Sequence, residues 1–375
     1  MDKPSGDLKR LVVKIGTNLL SGKRAFEGHV MEAVVRELCD LKLVHGMDVL
    51  VVSSGAVGCG MDALGLEKRP TLLPEKQAVA AVGQSRLMHY YETLVRAHGP
   101  GLTTAQVLLT QSDLDARRNY LNVRNTLSTL FHMRTVIPVI NENDSTATEE
   151  LRFGDNDTLA AKIAAKINAD LLIILTDVDG LYDKNPARDA DARLIGEVRQ
   201  FTDELLASAG GAGSVASTGG MRTKLEAARI ATAAGVHCII ASGYRPEIIH
   251  GVLGGDAPCT RFYPRRRALP HRKRWIAFGR ATRGALVVDN GARDALLNKG
   301  RSLLPAGVAA VEGVFGPGAA VRIIDGAGVM IARGLANYGS DDIRRIMGRK
   351  SAEIAELLGH KEYDEVVHRD NLVLL

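Results

Sequence analysis

A seven-residue segment, Thr218 to Lys224 (TGGMRTK), joins two adjacent glycines to a lysine that begins a helical pattern. The helix is predicted from small apolar residues that recur at three-residue steps: Leu225, Ala228, Ala231 and Ala234. Gly219 and Gly220 let the backbone approach an oxyanion closely, while the helix N-terminus and Lys224 supply positive charge. The segment predicts a phosphate-binding turn. A flexible glycine loop before an ordinary helix is the alternative, because the letters do not match the GxxxxGK[ST] loop.

A second lysine, Lys14, lies inside the apolar run LVVKI at residues 11–15, directly before Gly16. A lysine is costly to bury unless its charge meets an anion, so Lys14 is expected to face one. An edge-strand lysine that extends its ammonium group to solvent is the alternative.

Amides and acids are concentrated after the apolar run at residues 136–140, in NENDS and then in GDNDTLAA. Turn formation and helix capping would account for one or two of them. Four side chains together offer carboxylates and amides that suit an ammonium group, a small polar substrate or a metal: Asn141, Asp144, Asn156 and Asp157. The residue types do not decide which of these ligands is bound.

Two further turns follow apolar runs. SSGAVGCG, from Ser53 to Gly60, has glycines for a tight strand-to-helix turn whose N–H groups could hold a carboxylate or phosphate. TDVDGLY contains Asp177 and Asp179 before a glycine, which is also typical of a turn with solvated acids.

Two lysines, glycine-rich turns and clustered acids form a pattern for phosphoryl transfer, which depends on charge neutralisation and alignment. The sequence contains neither HExxH nor GxSxG, so zinc hydrolysis and serine acyl transfer have no support. A carboxylate acceptor, whose unperturbed pKa is about 4.3, would need no general base.

Six near-continuous apolar runs alternate with helical stretches up to about residue 255, as in a doubly wound α/β sheet of mainly parallel strands. The predicted strands are residues 11–15, 49–53, 105–109, 136–140, 171–175 and 237–241. Ligands of such sheets bind at the carboxyl ends of the strands, which is where the residues above lie.

The composition changes beyond residue 260. Residues 261–283 carry nine of the 48 Lys and Arg residues and no acid, so the net charge of +5 is local to this run. A solvated linker is the favoured interpretation, and attraction of a polyanion is the alternative.

Short predicted strands separated by glycines follow this run, with one or two short helices predicted over residues 340–358. The boundaries predicted from this change are a first domain at 1–260, a basic linker at 261–282, a small β-rich domain at 283–361 and a tail at 362–375.

Four widely spaced cysteines form no CxxC pair: Cys39, Cys59, Cys238 and Cys259. Neither a zinc site nor a disulfide framework is indicated, and a reducing cytoplasm fits this usage. The polar N-terminus has no apolar signal region, and no run approaches membrane-spanning length, so we expect a cytoplasmic protein without membrane insertion.

Five segments in this order, KIGTN, SSGAVG, NENDSTATEELRFGDNDTLAA, TDVDGLYDKNP and TGGMRTK, resemble the amino acid kinase family, in particular its members that phosphorylate glutamate. KGRSLLPAGV, VEGVFGPGAAV and IARGLANY in the C-terminal part resemble the PUA domain that bacterial members of this group carry. The resemblance implies a three-layer αβα sandwich with a mainly parallel sheet, followed by a small β-rich PUA domain.

The resemblance also implies the reaction: transfer of the ATP γ-phosphate to the side-chain carboxylate of L-glutamate, the first step of proline biosynthesis from glutamate. Mg²⁺ would accompany ATP, held mainly by the phosphates, and its direct protein ligands are left open. Proline feedback inhibition and a homo-oligomer, dimer or tetramer, are further expectations.

The residues that match the family's motifs take roles by the same resemblance. Lys14 and Lys224 would flank the transferring phosphoryl group, with Asp157 holding both lysines. Glutamate would be bound by Ser54, Asp144 and Asn156, with Asn141 close by. The ATP site would comprise Lys14, Thr176, Asp177, Thr218, Gly219, Gly220, Met221, Arg222, Thr223 and Lys224. This chain has Ser217 where the family usually has a glycine before the TGGM motif.

Two alternatives stay open at this point. Another kinase of the same fold would act on aspartate, carbamate, acetylglutamate or a nucleoside monophosphate, and the NEND segment and PUA-like tail argue against it. An RNA-binding PUA protein is the alternative from another class, suggested by the basic run, although the tail has no obvious aromatic stacking platform.

Overall fold

The structure is a computed structural model of the 375-residue chain. It describes residues 8–20, 28–110, 113–114, 117–147, 156–186, 188–189, 191–202, 205, 220–264 and 282–374. Thr218, Gly219, Ser217 and residues 265–281 of the predicted basic linker lie outside the described residues. The chain divides into two compact units, residues 1–268 and 269–375.

The first unit is built on an eight-stranded sheet with the order β3-β4-β2-β1-β5-β7-β8-β6. Its strands are β1 Arg10–Ile15, β2 Asp48–Ser53, β3 Thr103–Leu109, β4 Val136–Glu142, β5 Leu171–Thr176, β6 Glu197–Val198, β7 His237–Ser242 and β8 Thr260–Phe262. All pairs are parallel except β7 with β8, which is antiparallel. The six strands predicted from apolar runs are confirmed within two residues at each end.

Helices connect these strands. Their bounds are α1 Thr17–Leu20, α2 Gly28–Leu43, α3 Ala56–Ala63, α4 Leu73–His98, α5 Arg117–His132, α6 Asn156–Lys166, α7 Met221–Ala233 and α8 Ile248–Gly254. Helix α7 is the helix predicted after the glycine pair, and Gly235 follows its end with a φ of 86°. The α/β class predicted from the resemblance is confirmed by the mainly parallel sheet and by the helices that connect its strands.

The two faces of β1 have different environments. Leu11, Val13 and Ile15 belong to one hydrophobic core, together with residues of α2 and α4. The alternate residues point to the opposite face because successive side chains of a strand alternate. Lys14 is one of them, and its ammonium group meets Asp157 of α6 there, which also contacts Lys224 of α7. Strand periodicity therefore places a charged side chain on the face opposite to this core.

The second unit contains a five-stranded sheet with the order β10-β9-β11-β12-β13. Its elements are β9 Gly284–Val288, α9 Asn290–Lys299, β10 Val308–Gly313, β11 Ala320–Ile324, β12 Met330–Leu335, α10 Ser340–Ile346, α11 Ile354–Leu358 and β13 Leu372–Leu374. Two short helices are thus found in the predicted 340–358 region.

Four elements were not anticipated, and the shortest of them is β6, Glu197–Val198. Strand β8 reaches Phe262, two residues past the predicted boundary at 260, and β13 pairs with β12 from within the predicted tail. Helix α9 was also missed, although its signals were present: the N-cap Asp289 accepts a hydrogen bond from the Ala292 N–H at 2.6 Å, and Gly300 ends the helix with a φ of 59°. Among the described residues, no helix has the length and apolar character needed to span a bilayer.

Candidate active site

The carboxyl ends of four neighbouring parallel strands, β4, β2, β1 and β5, lie at one edge of the first sheet. Ile15, the last residue of β1, is in register with Ser53 of β2 and Leu175 of β5. Because parallel strands end together, the turns after them share one region of the molecule. The first turns of α6 and α7 reach the same region, since Asp157 contacts both Lys14 and Lys224.

The centre of this region is a carboxylate between two ammonium groups. Lys14 Nζ lies 2.6 Å from Asp157 Oδ1, and Lys224 Nζ lies 3.2 Å from Asp157 Oδ2. Asp157 is completely buried, and the two lysine residues are 4% and 5% exposed. The three side chains come from β1, α6 and α7, so the fold is needed to assemble them.

The ionisation of Asp157 follows from its two partners. Burial on its own would raise the pKa of the Asp157 carboxyl, since a charge is costly to desolvate. The positive charges of Lys14 and Lys224 outweigh this effect and hold the pKa below its ordinary value. Asp157 is therefore a carboxylate at neutral pH, and the cluster of three groups has one more positive than negative charge.

The start of α7 adds donors beside this cluster. Thr223 Oγ1 lies 3.1 Å from Asp157 Oδ2 and 2.7 Å from the Gly220 carbonyl oxygen. Gly220 is the N-cap of α7 and makes no side-chain cap hydrogen bond. The first N–H groups of a helix have no partner within the helix, so this N-terminus is suited to an anion.

A network of side-chain amides lies at the ends of β2 and β4. Asn156 Nδ2 is 2.7 Å from the Ser53 carbonyl oxygen, 3.0 Å from Ser54 Oγ and 2.9 Å from Asn141 Oδ1. Ser54 and Asn141 are buried, while Asn156 is half-buried. Asn156 and Asp157 are consecutive, so the first turn of α6 takes part in both the amide network and the lysine cluster.

The turn after β2 depends on a glycine. Gly55 has a φ of 98°, which side chains with a Cβ rarely adopt, and it forms the N-cap of α3. Beneath the turn, Ser53 Oγ lies 2.8 Å from the hydroxyl of the fully buried Tyr91. The position of Ser54 is thus set by the glycine turn and by a contact from α4.

The remaining predicted residues among those described lie at strand ends or at the start of α7. Asp144 is half-buried in the turn after β4. Thr176, the last residue of β5, donates from Oγ1 to Asp177 Oδ1 at 3.0 Å, and Asp177 is exposed. Met221 and Arg222 form the first turn of α7. The binding roles assigned to all these residues remain predictions.

Two contacts at this edge were missed. Gln84 Oε1 accepts a hydrogen bond from Asn141 Nδ2 at 2.8 Å, and nothing in the sequence around Gln84 distinguishes it from an ordinary helix residue. Asp179 forms a two-fold ion pair with Arg245, at 2.7 and 2.8 Å, rather than being only a solvated turn acid. Both partners come from distant parts of the chain, so local pattern could not reveal them.

No group of three or more His, Cys, Asp and Glu side chains that could hold a metal is found in the described part of the chain. Both Asp157 oxygens face lysine ammonium groups, which makes this carboxylate a poor candidate for a direct metal ligand.

Comparison with known proteins gives the family context. The family model for the amino acid kinase family matches residues 9–242, and that for the PUA domain matches residues 284–358. The chain is 51% identical over 368 residues to the glutamate 5-kinase of Moorella thermoacetica, covering 98% of this chain and 96% of that protein. It is 48% identical to the glutamate 5-kinase of Myxococcus xanthus, with the same two coverages.

Among solved structures, a carbamate kinase from Giardia lamblia bound to AMP-PNP has a TM-score of 0.48 and 18% identity, covering 70% of this chain and all of that one.

Proposed function

Because this chain belongs to the amino acid kinase family and to its glutamate 5-kinase group, we propose that it transfers the γ-phosphoryl group of ATP to the side-chain carboxylate of L-glutamate. The product would be L-glutamyl 5-phosphate, and the reaction would be the first step of proline biosynthesis from glutamate. The match covers 98% of this chain and 96% of each of these two relatives, so the proposal concerns the complete activity of that group.

The observation that carries the proposal is the Lys14–Asp157–Lys224 cluster. Two buried ammonium groups face one carboxylate in a region with little access to water. Two ammonium groups fixed at the carboxyl ends of the strands, beside the N-terminus of α7, attract an incoming anion. A phosphoryl group in transfer is such an anion, with charge on its non-bridging oxygens.

In the proposed reaction, a glutamate carboxylate oxygen attacks the γ-phosphorus. A new P–O bond forms to the carboxylate as the bond between the γ-phosphorus and the β,γ-bridging oxygen breaks, and ADP leaves with that electron pair. No proton moves in this step, because the carboxylate is already ionised at neutral pH. Lys14 and Lys224 would stabilise the charge of the transition state, and Asp157 would fix both ammonium groups before substrate arrives.

The amide network would bind glutamate. Asn156 lies within hydrogen-bonding distance of both Ser54 and Asn141, and Asp144 follows on the same turn as Asn141. A carboxylate such as Asp144 suits the α-ammonium group of an amino acid, and the serine hydroxyl suits a carboxylate oxygen. Asn156 and Asp157 are neighbours, so this arrangement would bring the substrate next to the phosphoryl site.

The start of α7 and the end of β5 would hold ATP. The uncapped helix N-terminus at Gly220 offers N–H groups to a phosphate, and Thr176 and Asp177 border the same edge of the sheet. Mg²⁺ would bind mainly through the phosphate oxygens and would offset their charge. Asp157 would not be its ligand, because both of its oxygens are occupied by the lysines.

Several broader properties are part of the proposal. We infer cytoplasmic location, a homo-oligomeric state and feedback inhibition by proline, which the resemblance to the glutamate 5-kinase group suggests.

RNA binding by residues 284–358 is a second candidate function, favoured by the PUA match. A steep fall in RNA affinity with increasing salt would support it, and absence of binding at low salt would rule it out.

A substrate screen tests the proposed function. The purified full-length chain is mixed with ATP, Mg²⁺ and hydroxylamine, which traps acyl phosphates as hydroxamates, and one candidate acceptor is added at a time. We expect turnover with glutamate and little with aspartate, N-acetylglutamate or carbamate. Turnover with one of these other acceptors and none with glutamate would contradict the proposal.

A further inference from the structure

Gln84, on α4, touches the amide network but has no role in the assignments above. Its Oε1 accepts a hydrogen bond from Asn141 Nδ2 at 2.8 Å, across 57 residues of sequence. Its Nε2 is buried and makes no hydrogen bond within the described structure. A buried amide nitrogen without an acceptor is costly, so an apolar residue would be expected here unless the polar group were needed.

The orientation of each amide in the network can be deduced from two backbone groups. The Glu142 N–H donates to Asn141 Oδ1 at 2.9 Å, so this atom must be the acceptor of Asn141 and Nδ2 must face Gln84. The Ser53 carbonyl can only accept, so the atom of Asn156 that faces it at 2.7 Å must be Nδ2.

This arrangement leaves one atom unused on the substrate side. Asn156 Nδ2 is occupied by Ser53, Ser54 and Asn141, whereas no donor from the described residues reaches Asn156 Oδ1. An amide oxygen held outward in this way is complementary to the ammonium group of an amino acid. If Asn141 turned its amide over, it would present Nδ2 to Asn156 Nδ2, two donors face to face, and the network would break.

We propose that Gln84 is a positioning residue for the amino acid substrate: it accepts from Asn141, fixes that amide, and thereby keeps Asn156 Oδ1 oriented toward the substrate ammonium group. This inference rests on the proposed function and deepens it. Gln84 would act through Asn141 and Asn156 rather than touch the reacting atoms.

The location of Gln84 on α4 suits this role. Its neighbour Gly83 packs so closely against α3 that a Cβ there would lie 1.8 Å from the Ala56 carbonyl oxygen. Seven residues further along α4, on the same side of the helix, Tyr91 contacts Ser53. One face of α4 therefore supports residues at the ends of both β2 and β4, and its close packing leaves little freedom for Gln84 to move.

The first test replaces Gln84 with methionine, which has similar volume and only a weakly accepting thioether sulfur in place of the amide oxygen. We expect the KM for glutamate to rise roughly tenfold or more, the range for a buried polar group that loses its partner, with the KM for ATP unchanged. Ser85→Ala, an exposed change on the next residue of α4, is the matched control and should leave both KM values at wild-type levels. Gln84→Ala replaces the methionine variant where that variant does not fold.

A double-mutant cycle with Asn141→Ala then tests whether Gln84 affects the KM for glutamate through Asn141. If Gln84 acts through Asn141, Gln84→Met should add nothing further to the KM for glutamate once Asn141 is alanine. An equal fold-increase in both backgrounds would overturn the inference, as would an unchanged glutamate KM in Gln84→Met alone. Failure of the proposed function would look different, since wild-type enzyme would then show no glutamate-dependent turnover.

Discussion

Asp157 has two roles in this site: it stabilises the fold, and it positions the two lysines. It has no exposed surface, and its two oxygens face the ammonium groups of Lys14 and Lys224. Removing one partner of a buried ionic cluster is more costly than removing a surface pair, because the remaining charges stay buried without compensation. The same carboxylate therefore stabilises the fold and holds both lysines in position for an anionic substrate.

The substitution Asp157→Asn should destabilise the protein and lower kcat. We expect the free energy of unfolding at pH 7 to fall by about 3–5 kcal/mol, the range measured when one partner of a buried ion pair is removed. Urea unfolding followed by circular dichroism measures this. Asp179→Asn is the matched control, because its partly exposed ion pair with Arg245 should contribute less than about 1 kcal/mol.

The stability difference between wild type and Asp157→Asn should depend on pH with a definite sign. The pKa of Asp157 is lower in the folded state than its ordinary value of 3.8, so its contribution is present above that value and is lost as pH falls through the folded-state pKa. The two unfolding free energies should converge only below about pH 4. Convergence already near pH 6 would contradict the assignment of a depressed pKa to this group.

At the scale of elements, two glycines set the distance between α3 and α4. A Cβ at Gly83 would lie 1.8 Å from the Ala56 carbonyl oxygen and 2.4 Å from the backbone nitrogen of Gly60. Added at Gly60, it would lie 1.9 Å from the Val79 carbonyl oxygen. Backbone atoms cannot give way as a flexible side chain can, so these positions require glycine. This close contact between α3 and α4 places Gln84 and Tyr91 beside the ends of β4 and β2.

Gly83→Ala should force the two helices apart. We expect a loss of about 1–3 kcal/mol in unfolding free energy, typical of an overpacked core, together with a raised KM for glutamate because Gln84 moves with α4. Ser85→Ala, exposed on the same helix, should not destabilise the protein, since alanine is the better helix former. Wild-type stability and KM in Gly83→Ala would show that the helix contact is not needed for the site.

The strands were predictable and the supporting contacts were not. Parallel strands covered on both faces require continuous apolar runs, so the run around Leu171 to Leu175 marked β5 clearly. The residues directly after such runs are close in space by topology alone, which is why Lys14 and Asn141 could be singled out. Gln84 could not, because a helix residue acquires its partner only when tertiary packing sets which face meets the strand ends. Strand β8 is only three residues long, which is too short to show a periodic pattern of apolar residues.

At the scale of the whole molecule, the described site residues lie between Lys14 and Lys224, within the first of the two compact units. The second unit has its own five-stranded sheet and its own hydrophobic core. The chemistry proposed here draws on no described residue beyond 224. Substitutions in the second unit are therefore expected to lower its unfolding free energy and to leave kcat and the KM values unchanged.

Asp289→Ala tests this separation. The N-cap hydrogen bond from the Ala292 N–H to Asp289 would be lost, and we expect the unfolding free energy of the second unit to fall by about 0.5–2 kcal/mol. Asp294→Ala, a mid-helix acid on α9 that pairs with Lys299 at the surface, is the control for loss of an acidic side chain. The kcat and both KM values should stay at wild-type levels in each variant. A changed KM for glutamate or ATP in Asp289→Ala would show that the second unit contributes to the site.

The central claim is that the Lys14–Asp157–Lys224 cluster stabilises the transition state of phosphoryl transfer from ATP to glutamate. The rate of glutamyl hydroxamate formation by the Lys224→Met variant tests this claim most directly. With both substrates saturating, we predict that kcat falls at least about 100-fold, the loss typical of removing one group that stabilises transition-state charge. Arg229→Met, on the same helix and paired at the surface with Glu226, should keep wild-type kcat. A folded Lys224→Met enzyme with wild-type kcat for glutamate would contradict the account.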